Sequence, residues 1–435
     1  MSRVNVGIML AQQIRFDLMG PFAASEGSVC AANSVEAVEG KLHFNGTVCN
    51  ELCFEPLSDD SRFLLHDVVI GVNFHWQRKE NQLFKGALRF IVEEGMVRAI
   101  NCLDVEDYLV SVISSEMSAT SSLEFLKAHT IVSRSWLYAQ LERREKNTVS
   151  CLGWENDEEV IRWYAREDHT NFDLCADDHC QRYQGLTRAL NPNVERAVRE
   201  TSGMVLMYDG KVCDARFSKC CGGVTERFSA CWENIDYDYL AVVRDNDTPG
   251  ESVSLSNEEA AREWIESAPV SFCDSADKNV LSQILNGYDR ETNDFYRWRV
   301  EYTQSELSEL IARRSGIDFG TIEQLQPVER GASGRLVKLR VVGSKLTKVV
   351  GKELEIRRWL SDTHLYSSAF VVDKVTDDNG VRFVLKGAGW GHGVGLCQIG
   401  AALMGEKGYT CRQILSHYYP GSNIESYRNS LNLCP

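Results

Sequence analysis

The sequence predicts an α+β protein with mostly antiparallel strands, a central pair of buried helices, and two or three lobes around a cleft. Short β-rich runs separated by turn residues dominate the first hundred residues. Two helical stretches follow, and strand-like runs return toward the C-terminus. A chain of 435 residues is also too long for one ordinary core, which favours several lobes.

The first two kinds of element are visible early in the chain. Residues 88–101 contain two β-rich runs on either side of Glu94 and Gly95, a pattern typical of a hairpin. Helical periodicity begins at residues 104–117, where apolar side chains form one stripe. The next helical stretch, residues 121–146, is apolar on two faces, so we expect it to be largely buried.

The later elements are predicted from turn and capping residues. An amphipathic helix ending at Gly203 precedes a hairpin whose turn is Asp209-Gly210. Strands and then a helix are predicted for residues 333–360, followed by a glycine-rich strand. The last helix is predicted to start at Thr410, which with Gln413 matches a capping box.

These elements give a predicted division of the chain into four segments. The segments are a strand-rich lobe (1–103), a catalytic-type core with a His/Cys loop (104–245), a polar helical insertion or lobe (246–325), and a strand-rich segment with a C-terminal helix that completes the core (326–435).

Composition argues against several classes of function. The net charge of −15 and the lack of basic stripes disfavour binding to a phosphate backbone, so we expect no nucleic-acid partner. No run approaches twenty apolar residues, so we expect no membrane span. The first twenty residues are not a signal peptide as they stand, which implies a cytosolic chain or a leader that has been removed. The fifteen cysteines are odd in number and irregularly spaced, so most are expected to be reduced apolar side chains.

Four stretches of the sequence resemble the SpoIID/LytB family. In order, they are residues 103–139, residues 178–240, residues 329–343 and residues 387–424. The last stretch contains GHGVG followed by Q-x-G-A, the most specific of these motifs. The resemblance covers most of residues 85–425 and implies a peptidoglycan-acting protein of the sporulation type. Such proteins are lytic transglycosylases or modifiers of cell-wall amidases.

The resemblance places the catalytic glutamate at Glu116, in the stretch Ser-Ser-Glu-Met. Glu116 follows the apolar stripe of the first helix, where a dry cleft would favour the protonated carboxyl that a general acid needs. A hydrolase needs a second carboxylate. A lytic transglycosylase can act with one, because the 6-hydroxyl of its own substrate attacks the anomeric carbon. The residues alone leave open a surface glutamate at a helix C-terminus.

Arg134 lies on the nearly all-apolar second helix, where its guanidinium must find an anionic partner. Pairing with Glu116 would oppose the general-acid role, so we expect another carboxylate or a substrate oxygen; a structural ion pair is the alternative. The remaining substrate-binding candidates are Gln181, Tyr183, Lys219, Gly222, Gly223, Thr225, Trp390, His392 and Gln398.

The pattern H-x5-C-x3-H-C offers two imidazoles and two thiolates, a natural tetrahedral zinc set. Its members are His169, Cys175, His179 and Cys180. The resemblance adds that some family members bind zinc with two histidines and two cysteines in this place. Four protein ligands leave no open position, so the zinc is predicted to be structural. It would hold a loop that places the following residues in the cleft. A chance cluster of reduced cysteines is the alternative.

Two further patterns involve adjacent cysteines and alternating glycines. Cys220 and Cys221 are not predicted to be ligands, because adjacent buried thiols need no metal. The glycines at alternate positions from 387 to 395 predict a strand with one bare face, which a backbone or sugar ring could approach closely. Trp390 and His392 would then lie on its other face and contact a sugar, with a core position as the alternative.

The sequence therefore predicts a lytic transglycosylase, a lyase that cleaves the MurNAc–GlcNAc bond of glycan strands stripped of stem peptides. Zinc is the only cofactor expected. The alternative is a non-catalytic glycan-binding module that modulates a cell-wall amidase; a zinc hydrolase would need an open metal position. Because such glycans carry lactyl carboxylates, a basic patch from Lys127, Arg134 and Lys219 is expected. A protein that acts on the wall must be exported.

Overall fold

The computed structural model describes most of the chain and divides it into two compact units. The described residues are 3–25, 32–71, 77–145, 153–164, 169–177, 179–187, 191–248, 253–275, 281–282, 285, 294–378 and 380–427. Unit 1 comprises Met1–Thr120 and Arg166–Ser202, and unit 2 comprises Ser121–Ala165 and Gly203–Pro435. These limits do not coincide with the four predicted segments. The predicted α+β class with mostly antiparallel strands is confirmed.

The strands, in chain order, are β1 (Arg3–Ala11), β2 (Gln13–Met19), β3 (Phe22–Ala24), β4 (Ala32–Val38), β5 (Lys41–Phe44), β6 (Thr47–Cys49), β7 (Glu51–Pro56), β8 (Arg62–Ile70), β9 (Arg78–Lys85), β10 (Ala87–Glu93), β11 (Met96–Asp104), β12 (Gly153–Glu155), β13 (Glu159–Arg162), β14 (Leu174–Cys175), β15 (Met204–Tyr208), β16 (Lys211–Val212), β17 (Phe217–Ser218), β18 (Arg297–Thr303), β19 (Ile322–Arg330), β20 (Leu336–Gly343), β21 (Thr347–Gly351), β22 (Phe370–Asp377), β23 (Gly380–Ala388), β24 (Leu396–Cys397) and β25 (Asn423–Ser426).

The helices within the described residues are α1 (Val105–Glu116), α2 (Leu123–Glu145), α3 (Pro192–Glu200), α4 (Phe228–Cys231), α5 (Glu258–Ser267), α6 (Gln304–Ser315), α7 (Glu353–Trp359), α8 (Gln398–Glu406) and α9 (Cys411–Tyr418). None of these described helices is both long and apolar enough to cross a bilayer.

Unit 1 is built on two six-stranded sheets. One has the order β14-β1-β11-β10-β7-β3 and the other β6-β5-β4-β2-β8-β9. Alternate residues of β2 and β5 are buried, the pattern of strands with one face on a core. Phe16, Phe44, Phe54 and Phe90 pack together there, with ring centroids 5.0–6.3 Å apart. The hairpin predicted around Glu94-Gly95 is confirmed, since β10 pairs with β11 across it.

Helix α1 carries its apolar stripe into the interior of unit 1, as the periodicity predicts. Asp104 caps its N-terminus by accepting a hydrogen bond from the Glu106 amide at 2.9 Å. Tyr108, Leu109 and Val112 have no exposed surface. Helix α1 ends at Glu116, and this last residue is buried like the apolar stripe before it.

Unit 2 contains a five-stranded sheet, β12-β13-β21-β20-β19, and a three-stranded sheet, β18-β23-β22. Side chains from α6 and α7, such as Leu307 and Trp359, share a core with β20 and β23. The long helix α2 is buried over most of its length, as predicted. The two buried helices α1 and α2 therefore belong to different units.

Several local predictions in unit 2 are confirmed. The chain reverses at Asp209-Gly210 between β15 and β16, with φ angles of 48° and 71° at the two turn residues. Thr410 and Gln413 form the capping box of α9.

The polar segment 246–325 is not wholly helical, because it supplies β18, which pairs with β23.

The predicted continuous glycine-rich strand is wrong beyond Ala388. Strand β23 ends at that residue, and Gly389, Gly391, Gly393 and Gly395 have φ angles of 70–92°. These angles lie in the left-handed region, which L side chains adopt rarely and strands do not use. The alternate glycines therefore make an irregular, turning segment rather than a flat face.

Candidate functional site: a buried glutamate and two ligand clusters

Glu116 is the last residue of α1 and its side chain is 7% exposed. Its Oε1 accepts a hydrogen bond from the backbone amide of Arg182 at 2.9 Å. The last turn of α1 contains no basic residue, and the carbonyl end of a helix disfavours a negative charge. The carboxyl group is thus both buried and held in one orientation by a neighbouring loop.

The loop that contains the Arg182 amide is hydrogen-bonded to α1 on both sides of this amide. The Tyr108 hydroxyl donates to Gln181 Oε1 at 3.0 Å, and the Gln184 amide donates to the Ser111 hydroxyl at 3.1 Å. The Tyr183 ring stacks on Tyr108 with centroids 5.2 Å apart. Gln181 and Tyr183, predicted to contact substrate, are 0% and 2% exposed. Their side chains therefore hold the loop against α1.

The predicted zinc ligands come together at the start of this loop. We call His169, Cys175, His179 and Cys180 the local His/Cys set. Its four ligand atoms all lie within 4.8 Å of one another. Cys180 Sγ is 3.5 Å from His169 Nε2 and 3.6 Å from His179 Nδ1, and Cys175 Sγ is 3.9 Å from His179 Nδ1. A tetrahedral zinc with bonds of about 2.3 Å to sulfur and 2.0 Å to nitrogen separates such atoms by about 3.6 Å.

The electrostatics of the local His/Cys set also suit a cation. A hydrogen bond from Cys180 lowers the pKa of the Cys175 thiol well below its usual value; burial opposes this shift, and hydrogen bonds from His169 and His179 add to it. A thiolate is the form that binds metal. The residues present therefore fit a structural zinc with four protein ligands.

The local His/Cys set is attached to the edge of a sheet in unit 1. Strand β14, which contains Cys175, pairs in parallel with β1. Asp173 Oδ2 accepts hydrogen bonds from both the backbone and the side chain of Asn5, at 2.8 and 2.9 Å. Cys180 is two residues from Arg182, so a metal there would fix the backbone that orients Glu116.

The basic patch predicted from three cations is not an exposed surface. Arg134 is fully buried, and its Nη1 donates to the carbonyl of Met204 at 3.0 Å. Lys219 is 9% exposed, and Lys127 is ion-paired with Glu124 at 3.2 Å. The expectation failed because residue type alone does not reveal how far a cation is buried.

The segments that carry the other predicted substrate residues run side by side in unit 2. Strand β17 pairs in parallel with β24, and a bridge joins Cys220 to Trp390. The Trp390 ring lies between those of Phe295 and Tyr366, each with its centroid 4.8 Å away. The His392 Nδ1 accepts from the Val394 amide at 3.0 Å. Burial, together with nearby Arg216, lowers the pKa of His392 well below its ordinary value, so its imidazole is neutral.

Two further substrate-binding candidates in unit 2 make contacts within the protein. The Thr225 hydroxyl donates to the carbonyl of Ala241 at 3.2 Å and accepts from the Val243 amide at 2.8 Å. Gln398 is 2% exposed and its Nε2 lies 3.3 Å from His129 Nε2. The structure therefore gathers Glu116, Gln181, Tyr183 and the local His/Cys set in unit 1, and Lys219, Thr225, Trp390, His392 and Gln398 in unit 2.

Sequence reasoning missed a second group of ligand-type side chains, in unit 2. We call Cys221, Asp245, Cys273 and Cys397 the buried Cys/Asp set; their ligand atoms also lie within 4.8 Å of one another. The adjacency of Cys220 and Cys221 does not reveal that Cys221 lies beside three ligand-type side chains from distant parts of the sequence. No short spacing links the four positions, so the only available signal was the presence of cysteine in both paired glycine-rich segments.

The segment that contains Glu116 is similar in sequence to known proteins. The family model described as Stage II sporulation protein matches residues 93–208, which include α1, α2 and the local His/Cys set. The predicted resemblance to the SpoIID/LytB family is therefore confirmed over these residues. A second model, for a domain of unknown function (DUF8618), matches residues 226–395.

Curated relatives of the chain include an amidase enhancer of Bacillus subtilis, 28% identical over 73% of the chain and 40% of that protein. The chain therefore spans well under half of that relative's length. The stage II sporulation protein D of Bacillus amyloliquefaciens is 20% identical over 75% of each protein. An uncharacterized protein of Brachyspira hyodysenteriae is 26% identical over 79% of the chain and 73% of that protein.

Proposed function

We propose that this chain is a lytic transglycosylase that cleaves the MurNAc–GlcNAc bond of glycan strands lacking stem peptides. The observation that carries the proposal is the position of Glu116. It is a buried carboxyl group at the carbonyl end of α1, oriented through Oε1 by the Arg182 amide. The first step requires a protonated carboxyl group; burial and the carbonyl end of a helix disfavour a bare carboxylate, whereas the Arg182 amide stabilises the carboxylate that the second step requires.

In the proposed reaction Glu116 acts first as an acid and then as a base. Its proton passes to the glycosidic oxygen as the bond to the anomeric carbon of MurNAc breaks, and the GlcNAc end leaves as an alcohol. The carboxylate then removes the proton from the 6-hydroxyl of the same MurNAc, whose oxygen bonds to the anomeric carbon. The product is a 1,6-anhydro ring, and Glu116 regains its proton without water being consumed.

The local His/Cys set would hold a structural zinc in this proposal. With four protein ligands the ion would have no position for substrate or water, so it would supply no catalytic chemistry. Held in this way, Cys180 would fix the backbone as far as the Arg182 amide, which orients Glu116. The four ligands would thus act as positioning residues, and the catalytic residue would be the glutamate.

A second function is favoured by one specific observation, the similarity to a protein named amidase enhancer. In that alternative the chain binds glycan without cutting it and modulates a cell-wall amidase. Glu116 would then only contact the ligand, and its replacement would change binding rather than turnover.

The deciding experiment incubates the purified chain with denuded glycan and analyses the products by mass spectrometry. We expect fragments whose MurNAc ends lack one molecule of water compared with hydrolysed ends, the mark of a 1,6-anhydro ring. Intact glycan together with increased activity of an added cell-wall amidase would support the enhancer alternative. Ordinary reducing ends would show hydrolysis and overturn the single-glutamate mechanism.

A further inference from the structure

We propose that the buried Cys/Asp set is a second metal site, which binds one zinc ion with three thiolates and one carboxylate. This inference does not rest on the proposed function. The four side chains are buried, with exposures of 2% for Cys221, 1% for Cys273 and 0% for both Asp245 and Cys397. They come from four separate segments of unit 2, so the site exists only in the folded chain.

The spacing of the ligand atoms suits a single ion. All four lie within 4.8 Å of one another, and the sulfurs of Cys221 and Cys273 are 3.6 Å apart. In a tetrahedral zinc site with bonds of about 2.3 Å, two sulfurs are separated by about 3.8 Å. A cubane iron–sulfur cluster would need its cysteine sulfurs much farther apart, because inorganic sulfide and several iron atoms lie between them.

Backbone amides already point at the sulfurs. The Cys221 amide donates to Cys397 Sγ at 3.2 Å, and the Gly223 amide donates to Cys221 Sγ at 3.3 Å. Hydrogen bonds of this kind stabilise thiolates and orient metal ligands. The loop at Gly223 has a φ of 103°, a conformation that allows its amide to turn toward the sulfur.

The carboxylate is held in the same way. Asp245 Oδ1 accepts from the Tyr418 hydroxyl at 2.6 Å, and Oδ2 accepts from the Cys273 amide at 3.0 Å. Helix α8 passes close by at Gly400, where a Cβ atom would lie 2.7 Å from the carboxylate oxygens. Any side chain at this position would therefore have to displace Asp245.

Neither a plain apolar core nor a disulfide accounts for all four residues. Reduced cysteines pack well as apolar side chains, but a fully buried carboxylate among them is costly without a cation. The nearest ion-pair partner of Asp245 among the described residues is His417, whose Nε2 is 3.9 Å away. A Cys221–Cys273 disulfide would use the 3.6 Å contact and still leave Asp245 and Cys397 unexplained.

The site with its ion would keep a net negative charge. Binding of one Zn²⁺ replaces the protons of three thiols, which pass to solvent, and the site with its ion carries a net charge of −2. Arg335, which is fully buried, lies beside the site and donates from Nη1 to the Cys221 carbonyl at 3.1 Å. This guanidinium and the amide donors offset part of the remaining negative charge.

Such an ion would cross-link the region in which β17 pairs with β24. Cys221 follows β17 and Cys397 ends β24. The Asp245 amide donates to the Gly223 carbonyl and the Phe272 amide donates to the Asp245 carbonyl, so Asp245 and Cys273 lie on segments that are hydrogen-bonded to the chain after β17. The zinc would therefore fix the glycine-rich segment from a buried position, without an open coordination site for substrate.

The first test measures zinc in full-length protein purified without added metal. The parent chain should contain about two equivalents, and a Cys175→Ser/His179→Ala variant, which removes the local His/Cys set, should retain about one. Adding Cys273→Ser or Asp245→Asn to that variant should remove the second equivalent. Cys213→Ser is the matched control, because Cys213 is equally buried in unit 2 but lies outside the set; its zinc content should not change.

A second measurement covers the case in which the triple variants fail to fold. Cobalt(II) is added to the Cys175→Ser/His179→Ala variant after chelation, with the buried Cys/Asp set intact. We expect one equivalent to give the visible bands of a tetrahedral ion and the near-ultraviolet charge transfer of thiolate ligands. The proposal is overturned if this folded variant contains no zinc and gives no thiolate spectrum. A Cys221–Cys273 disulfide, or iron with acid-labile sulfide, would likewise overturn it.

Discussion

The local His/Cys set is drawn from residues 169–180, whereas the buried Cys/Asp set is drawn from positions 221, 245, 273 and 397. The first is partly exposed, next to a sheet edge, and includes two histidines; the second is buried and consists of three cysteines and a carboxylate. The first could be recognised from spacing because its ligands share one loop. The second could not, because its ligands are brought together only by the packing of unit 2.

This difference predicts different consequences of disruption. The local His/Cys set is two residues from the Arg182 amide that orients Glu116, so its loss should affect turnover first. The buried Cys/Asp set joins distant segments of unit 2, so its loss should affect stability first. The following predictions test that contrast, from the largest expected effect to the smallest.

Replacing Glu116 by glutamine should have the largest effect. The change keeps the shape of the side chain and removes its acid, so cleavage of denuded glycan should fall by roughly 10²–10⁴-fold. Glycan binding and the zinc content of both sets should remain. The measurement is the rate of formation of 1,6-anhydro ends, with Glu106→Gln in the first turn of the same helix as the control. A wild-type rate in the Glu116 variant would show that another residue is the general acid.

Replacing Cys175 by serine should remove the zinc of the local His/Cys set and lower cleavage by roughly 10–100-fold. The loop that carries the Arg182 amide would lose its anchor, while Glu116 itself would remain. Turnover and zinc content are measured on the same preparation. Full turnover in a chain shown to lack this zinc would mean that the hydrogen bonds of Gln181 and Gln184 hold the loop by themselves.

Replacing Cys273 by serine should instead lower the unfolding midpoint of the protein by about 5–10 °C. The variant should lose the metal that cross-links unit 2 and keep the zinc of the local His/Cys set. Calorimetry gives the midpoint, and Cys213→Ser provides the comparison for loss of a buried thiol alone. Equal unfolding midpoints for the two variants would contradict the prediction that loss of the buried Cys/Asp set mainly lowers stability.

Acid should destabilise unit 2 through His129, whose burial lowers its pKa to about 3 from an ordinary 6.5. Between these values the unfolded chain binds the proton and the folded chain does not, so stability falls as the pH drops below 6.5. At pH 5 the loss from this residue is roughly 2 kcal/mol. Denaturant unfolding of the parent and of His129→Gln from pH 7.5 to 5 measures it. The variant should show the shallower pH dependence, and parallel curves would contradict the assignment.

The smallest effect is expected from Tyr183→Phe in unit 1. The Tyr183 hydroxyl lies 2.5 Å from Asn101 Oδ1, so its removal leaves a buried acceptor without that donor and should cost about 1 kcal/mol of stability. KM for denuded glycan should not change if the hydroxyl is structural. An increase in KM with unchanged stability would support the substrate contact predicted from the sequence.

Much of the fold was predictable because its signals are local. The α1 stripe, the hairpin at Glu94-Gly95, the turn at Asp209-Gly210 and the capping box at Thr410 each depend on neighbouring residues only. The glycine-rich segment misled the prediction because glycine alternation resembles a strand pattern. Its positive φ angles depend on contacts with distant segments instead.

The sequence by itself determined the fold class, the placement of Glu116 at a helix end and the four members of the local His/Cys set, because periodicity and short spacing express these properties. Only the tertiary structure decided that Arg134 and Lys219 are buried, that Tyr183 faces α1, and that Cys221, Asp245, Cys273 and Cys397 meet. Burial and long-range proximity arise from packing between segments far apart in the chain, and no local pattern of residues encodes them.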